Sequence, residues 1–179
     1  MREIAFQYFI TDLGELILGS FNEHLCLCDW RYRKMRDRIN KRLTRGLDAH
    51  FVHAKTGVTS LAREQLEEYF SGHRTGFDIP LLMVGSAFQK SVWDALLEIP
   101  YGKTESYMGL ARKIGDEKAI RSVAAANGAN AVSIFIPCHR VVGSDGSLTG
   151  YGGGLGAKWQ LLQLEMSGQT RDQMTLFGQ

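Results

Sequence analysis

Charge of one sign is not in excess here: Lys and Arg outnumber Asp and Glu by only 21 to 19, and the surplus divides evenly, 12 against 11 through Gly85 and 9 against 8 beyond it. Net charge therefore announces no polyanion partner, and any nucleic-acid site has to be local. No apolar run approaches the roughly 20 residues that span a bilayer, and Met1 to Tyr8 lacks the basic-then-apolar order of a secretion signal. A cytoplasmic protein that meets no membrane is the expectation. Cysteine is scarce as well. Cys26, Cys28 and Cys138 leave one unpaired, and a Cys26–Cys28 bridge along one strand would be badly strained, so reduced thiols are expected. There is no internal repeat and no low-complexity tract.

With 44% apolar residues in 179, the chain can bury one good core and a smaller second one. "IAFQYFI" and "LGELILGS" flank a turn at Asp12 to Gly14, and "HLCLCDW" alternates, which predicts a small strand meander over residues 3 to 29. "RYRKMRDRINKRLTR" then sets eight basic residues among fifteen, with Met35, Ile39 and Leu43 at i, i+4 spacing. A phosphate-binding face and an ordinary solvated helix surface both fit that run. Thr59 or Ser60 caps a predicted helix that Gly72 closes, and "RTGFDIPLLMVGS" reads as an extended connection.

Helical patterns dominate from Ser86 onward. "TESYMGLARKIG" and "EKAIRSVAAAN" stand at helix-turn-helix spacing. The second is smooth, with Ala119, Ser122, Ala124, Ala125 and Ala126 around the cation Arg121. Close helix packing and a helix shaved to lie in a nucleic-acid groove both explain such a surface.

"IPCHRVV" raises the question of chemistry. Cys138 could be a small buried hydrophobe. It could be a zinc ligand, although no C-x-x-C exists and the His24, Cys26, Cys28 triplet is far away in sequence. It could also be a nucleophile with His139 drawing off its proton. "AVSIFI" before it reads as a strand, and "GSDGSLTGYGGG" after it as a glycine-rich loop able to close over a ligand.

Four stretches in order, "SAFQKSVWDALLEIPYGKTESYMGLA", "AIRSVAAANGAN", "IPCHRVVGSDGSLTGYGGG" and "KWQLLQLE", resemble the O6-alkylguanine-DNA alkyltransferases, or methylated-DNA–protein-cysteine methyltransferases, from about Gly85 to Glu165. Before Met83 the likeness is looser. The resemblance implies an α+β protein: a small N-terminal sheet-and-helix domain over 1–85, ribonuclease H-like, and a mainly helical domain with a winged helix-turn-helix over 86–168. A flexible tail is expected over 169–179.

The resemblance further implies irreversible transfer of the alkyl group from guanine O6 in double-stranded DNA to Cys138, in one turnover and without a cofactor. His139 is the implied base, acting through a water, and Glu165 its orienting acid. Tyr107 and the Gly152 amide are implied as donors to the departing guanine. Tyr151 is implied as a pocket wall, the carbonyls of Cys138 and Val141 as acceptors, and Asn130 as support for the active-site backbone. Arg121 matches the residue that takes the place of an everted nucleotide, on a helix whose Ser122, Ala124 and Ala125 face the minor groove. Ala131 stands where a proline is usual, and Ser86 replaces a common threonine. No metal is expected, nor an oligomer.

Two rivals remain: a cysteine hydrolase built on Cys138, His139 and Glu165, and a helix-turn-helix lesion sensor that transfers nothing. Finally, Gln173, Met174, Leu176 and Phe177 resemble the Q-x-x-L-F peptide by which bacterial proteins dock on the replication sliding clamp.

Overall fold

The computed structural model describes the backbone of residues 2–176 and the side chains of residues 2–168. β1 (Arg2–Thr11), β2 (Gly14–Phe21) and β3 (His24–Trp30) form the expected meander. β2 and β3 meet at a two-residue turn in which Asn22 and Glu23 both have positive φ, 46° and 61°, the twist that suits a hairpin. From Leu16 to Phe21 β2 is buried at every position, as befits a strand with neighbours on both sides. At Gly19 the β2–β3 register shifts, and a Cβ there would come within 2.9 Å of Leu27 Cβ, so the bulge requires glycine.

α1 (Arg36–Leu47) is shorter than its basic run, and it buries Ile39, Leu43 and Leu47. β4 (Ala49–His53) was not anticipated. It is a five-residue edge strand lying parallel to β1 with Ile4 opposite Phe51, and it completes the order β3-β2-β1-β4. α2 (Gly57–Phe70) starts earlier than expected. Its cap is Thr56, whose hydroxyl accepts from Thr59 N at 3.1 Å while Thr59 Oγ1 accepts from Thr56 N at 3.0 Å.

Later segments hydrogen-bond to this sheet: the connection after α2 through a bridge of Leu81 with Leu25, and the second half through one of Val132 with Cys28. α3 (Ala87–Leu97) is capped by Ser86. β5 (Glu105–Ser106) takes the start of the predicted helix at Thr104, so α4 (Tyr107–Lys113) begins only after Ser106, its cap. A 3-10 turn at Glu117–Ala119 leads into α5 (Ile120–Gly128), which α3 holds through a hydrogen bond from Trp93 Nε1 to Ala126 O at 2.8 Å.

"AVSIFI" is not a strand. Val132, Ser133 and Ile136 make only isolated bridges, and Ile134 takes a positive φ of 74°, a conformation an isoleucine adopts only where its surroundings hold it. β6 (Val141–Val142) pairs with β5 in parallel, and α6 (Gly154–Leu176) crosses behind the cysteine.

The helical backbone of α6 continues past Gly168, where a tail is expected from the sequence. Of the clamp-peptide residues, Phe177 and the side chains of Gln173, Met174 and Leu176 lie outside the described residues. Among the described residues no helix is long and apolar enough to cross a membrane, and no group of three or more His, Cys, Asp or Glu side chains could hold a metal ion. All three cysteines are free and buried.

Candidate active site

A loop pinned from both sides places the cysteine. The Asn130 side chain, 1% exposed, spans residues 131–136: its Nδ2 donates to Ile136 O at 2.9 Å, and its Oδ1 accepts from Val132 N at 2.9 Å. The sheet holds the same loop, with Cys28 N donating to Ala131 O at 2.9 Å and Ser133 N to Cys28 O at 2.6 Å. Pro137 then opens a 3-10 turn over Cys138–Arg140, which carries His139 and Arg140 inward against α6.

There they meet Glu165, which is fully buried. Oε1 accepts from Tyr69 Oη at 2.7 Å, His139 Nε2 at 2.8 Å and Arg140 Nη2 at 2.9 Å. Oε2 accepts from Arg140 Nε at 2.9 Å and Gly102 N at 3.1 Å. Burial pushes the Glu165 carboxyl up, but the hydrogen bonds and charges of His139 and Arg140 outweigh it and hold the group at about 2.

An ionised carboxylate can only accept, so His139 Nε2 carries the proton and Nδ1 keeps its lone pair. Nδ1 is buried and has no partner among the described residues. Burial also lowers the His139 imidazolium below its ordinary 6.5 despite Glu165, leaving a neutral ring at physiological pH. The fixed tautomer and the neutral charge together make Nδ1 a proton acceptor.

Cys138, 5% exposed, lies on the wall of a cavity of about 920 Å³. That is ample for a purine. Burial pushes its thiol above the ordinary 9.0, against a hydrogen bond from Asn130 and the charges of Arg33 and Lys158, which favour the thiolate. The resting sulfur is thus a thiol at neutral pH, and its proton has to leave during the reaction.

Tyr107, Tyr151, Gly152 and Ala124 line the same cavity, with Tyr107 Oη accepting from Thr149 Oγ1 at 3.3 Å. Val141 is fully buried at the start of β6 and does not line it. Arg121, Ser122, Ala124 and Ala125 are exposed on α5. Ala124 reaches the cavity, while Ser122 and Ala125 face a second groove beside it.

Several residues at the site had no signal in the motif. Trp30 ends β3 and packs edge-on against Tyr151, ring centroids 5.8 Å apart. Arg33 lines the cavity and donates to Gly128 O at 2.5 Å, Asn130 O at 3.4 Å and Asp29 Oδ1 at 3.1 Å. The buried Asp29 also accepts from Arg36 Nη1 at 2.7 Å and Ser133 Oγ at 3.2 Å, tying the N-terminal half to the cysteine loop.

Lys158 is fully buried and donates to Thr149 O at 2.6 Å; burial brings its amine down to about 8. A signal for it existed. Lys158 and Glu165 stand seven apart on the stripe of α6 that buries Leu161 and Leu162, where a charge is out of place unless it is used.

Residues 87–167 match the family model described as 6-O-methylguanine DNA methyltransferase, DNA binding domain. The methylated-DNA–protein-cysteine methyltransferase of Methanosarcina barkeri is 56% identical over 155 residues, covering 87% of this chain and 92% of that protein. The constitutive enzyme of that name from Bacillus subtilis is 48% identical over 143 residues, covering 80% of this chain and 83% of its own. Among solved structures, the O6-methylguanine methyltransferase of Mycobacterium tuberculosis superposes with a TM-score of 0.76 at 38% identity, covering 92% of this chain and 93% of that one. The M. tuberculosis OGT in complex with DNA gives a TM-score of 0.78 at 38% identity, covering 92% of this chain and 94% of that one.

Proposed function

Since this chain belongs to the methylated-DNA–protein-cysteine methyltransferase family, we propose that it repairs DNA directly, by moving the alkyl group of an O6-alkylguanine onto Cys138. The observation that carries this is the conjunction of a cysteine on the wall of a purine-sized cavity with a neutral histidine whose one free nitrogen is a lone pair. The lesion has to leave the helical stack to reach that sulfur, at a cost of a few kcal/mol. Arg121 fills the gap it leaves, and the small side chains of Ser122, Ala124 and Ala125 let α5 approach the groove.

The reaction is one displacement. The Cys138 proton passes to His139 Nδ1 through a water, and Glu165 stabilises the imidazolium that results. Sulfur forms its bond to the alkyl carbon as the carbon–O6 bond breaks, and the departing guanine takes the electron pair. The Gly152 N–H meets that charge at O6, and the Tyr107 hydroxyl supplies a proton at the ring. Tyr151 walls the base in, the Cys138 carbonyl accepts from its amine, and Asn130 holds the loop. Cys138 ends as a thioether, and nothing at the site restores it. Each molecule acts once.

The test is to incubate the protein with a duplex containing O6-methylguanine and weigh the Cys138 peptide. One methyl group per protein molecule is expected, none in Cys138→Ser, and a rate for Arg121→Ala that falls much further on duplex than on single-stranded substrate. Repeated turnover with an unmodified Cys138 would refute the reading in favour of a hydrolase, and an intact lesion beside an unmodified Cys138 in favour of a non-transferring sensor.

A further inference from the structure

The basic run that opens α1 divides into two sets. Arg33 and Arg36 are committed to Asp29, Arg42 Nη2 donates to Ala129 O at 2.6 Å, and Arg31 pairs with Glu15 at 2.8 Å. The remaining four, Lys34, Arg38, Lys41 and Arg45, are exposed, and none forms an ion pair among the described residues. Lys34 stands in the turn before α1, and the spacing of three and four puts Arg38, Lys41 and Arg45 on one stripe of the helix, opposite the buried Ile39, Leu43 and Leu47.

That stripe does not simply face bulk water. It forms one wall of a groove of about 1630 Å³ whose other wall is Ser122 and Ala125 of α5 and the first turn of α3, with exposed Lys90. Asp37 is the only acid among its lining residues. Among the lining residues Gly46 lies so close to Val84 that a Cβ would come within 2.5 Å of Val84 Cγ1, so α1 packs directly against the segment that leads to α3. The groove also runs into the Cys138 cavity: Lys34, Met35, Ala124 and Gly128 line both.

We propose that α1 supplies a second DNA contact, a phosphate-binding wall in which Arg38, Lys41 and Arg45 grip the backbone of the duplex that α5 enters. The proposal rests on the reading of this chain as a DNA alkyltransferase. Charge complementarity and the shared boundary with the base cavity carry it: a strand that delivers a nucleotide past Ala124 continues along this groove. From Arg38 to Arg45 the helix rises about 10 Å at about 1.5 Å per residue. That length matches about three phosphates at about 3.4 Å of axial rise each on one strand. The N-terminal half thereby adds affinity independent of sequence, which suits a protein that has to scan for rare lesions.

Equilibrium binding to an undamaged, fluorescein-labelled duplex across a NaCl series tests this. The comparison is between the wild-type chain, the triple variant R38Q/K41Q/R45Q, and K55Q/R63Q, which alters cations outside the groove. Each lost phosphate contact lowers the steepness of log K against log salt by about 1. The triple variant is therefore expected to lose about two to three from the slope and at least about tenfold in affinity at low salt, with K55Q/R63Q unchanged. Wild-type slope and affinity in the triple variant overturn the groove.

Methyl gain on Cys138, weighed in parallel, separates the two ideas. An unaltered slope with methylated Cys138 sinks the groove alone. A lost slope with wild-type Cys138 unmethylated upholds the groove and sinks the alkyl-transfer reading.

Discussion

Replacing Glu165 by glutamine keeps the shape of the side chain and removes its charge. Every one of the five contacts to its two oxygens comes from a donor: Tyr69, His139, Arg140 twice, and Gly102 N. An amide offers one oxygen, so its NH2 group faces either the pair at Oε2 or the trio at Oε1, hydrogen against hydrogen. Arg140, 7% exposed, loses its counter-charge. Breaking a buried pair on one side costs about 3–5 kcal/mol.

The titration gives an independent figure. The carboxyl is held at about 2 against an ordinary 4.5. At about 1.4 kcal/mol per pH unit this amounts to about 3 kcal/mol. Because the folded value is the lower one, that stability is fully present above the unfolded value and drains away as the pH falls toward the folded one.

Urea unfolding of both forms should therefore show Glu165→Gln less stable by about 3–5 kcal/mol near neutrality. The gap should narrow by about 2 kcal/mol at about pH 3. Single-turnover methyl transfer should slow by about 10²- to 10⁴-fold, because a neutral amide no longer stabilises the His139 imidazolium that forms as Cys138 gives up its proton. A variant within about 1 kcal/mol of wild type at neutral pH, or a gap that widens in acid, would refute the account of this network.

Two further outcomes follow from the same geometry. The buried Cys138 thiol ionises above its ordinary 9.0, so its alkylation by iodoacetamide, read on the Cys138 peptide, should climb steadily with pH past that value; a plateau below about pH 8 would mean a stabilised resting thiolate. Gly153 lies against the indole of Trp30, where a Cβ would come within 2.4 to 2.8 Å of three ring atoms. Gly153→Ala should thus displace the Trp30 wall and cost about 1–3 kcal/mol in a thermal melt, and an unchanged melting temperature would show that the wall yields freely.

Local chemistry was legible wherever it depends on neighbours in the chain. Adjacent Cys138 and His139 after Pro137, the small side chains of α5, and the helix-turn-helix spacing can all be read from short windows, and these select the reaction class. Helix periodicity also brings Lys158 and Glu165 onto one buried stripe. Local signals misled where pairing partners are distant. "AHFVH" is a strand only because β1 lies beside it, and "AVSIFI" is held as a loop by the backbone bonds of Cys28 to Ala131 and Ser133.

What tertiary structure alone decided is the environment of the sulfur. Arg33 reaches Gly128 O across 95 residues, Asp29 meets Ser133 across 104, and Tyr69 meets Glu165 across 96. No local propensity encodes such separations. Burial makes the difference, because the same cysteine, histidine and glutamate in water would titrate near their ordinary values, whereas folded together the acid is locked ionised, the imidazole neutral and the thiol protonated until a substrate arrives.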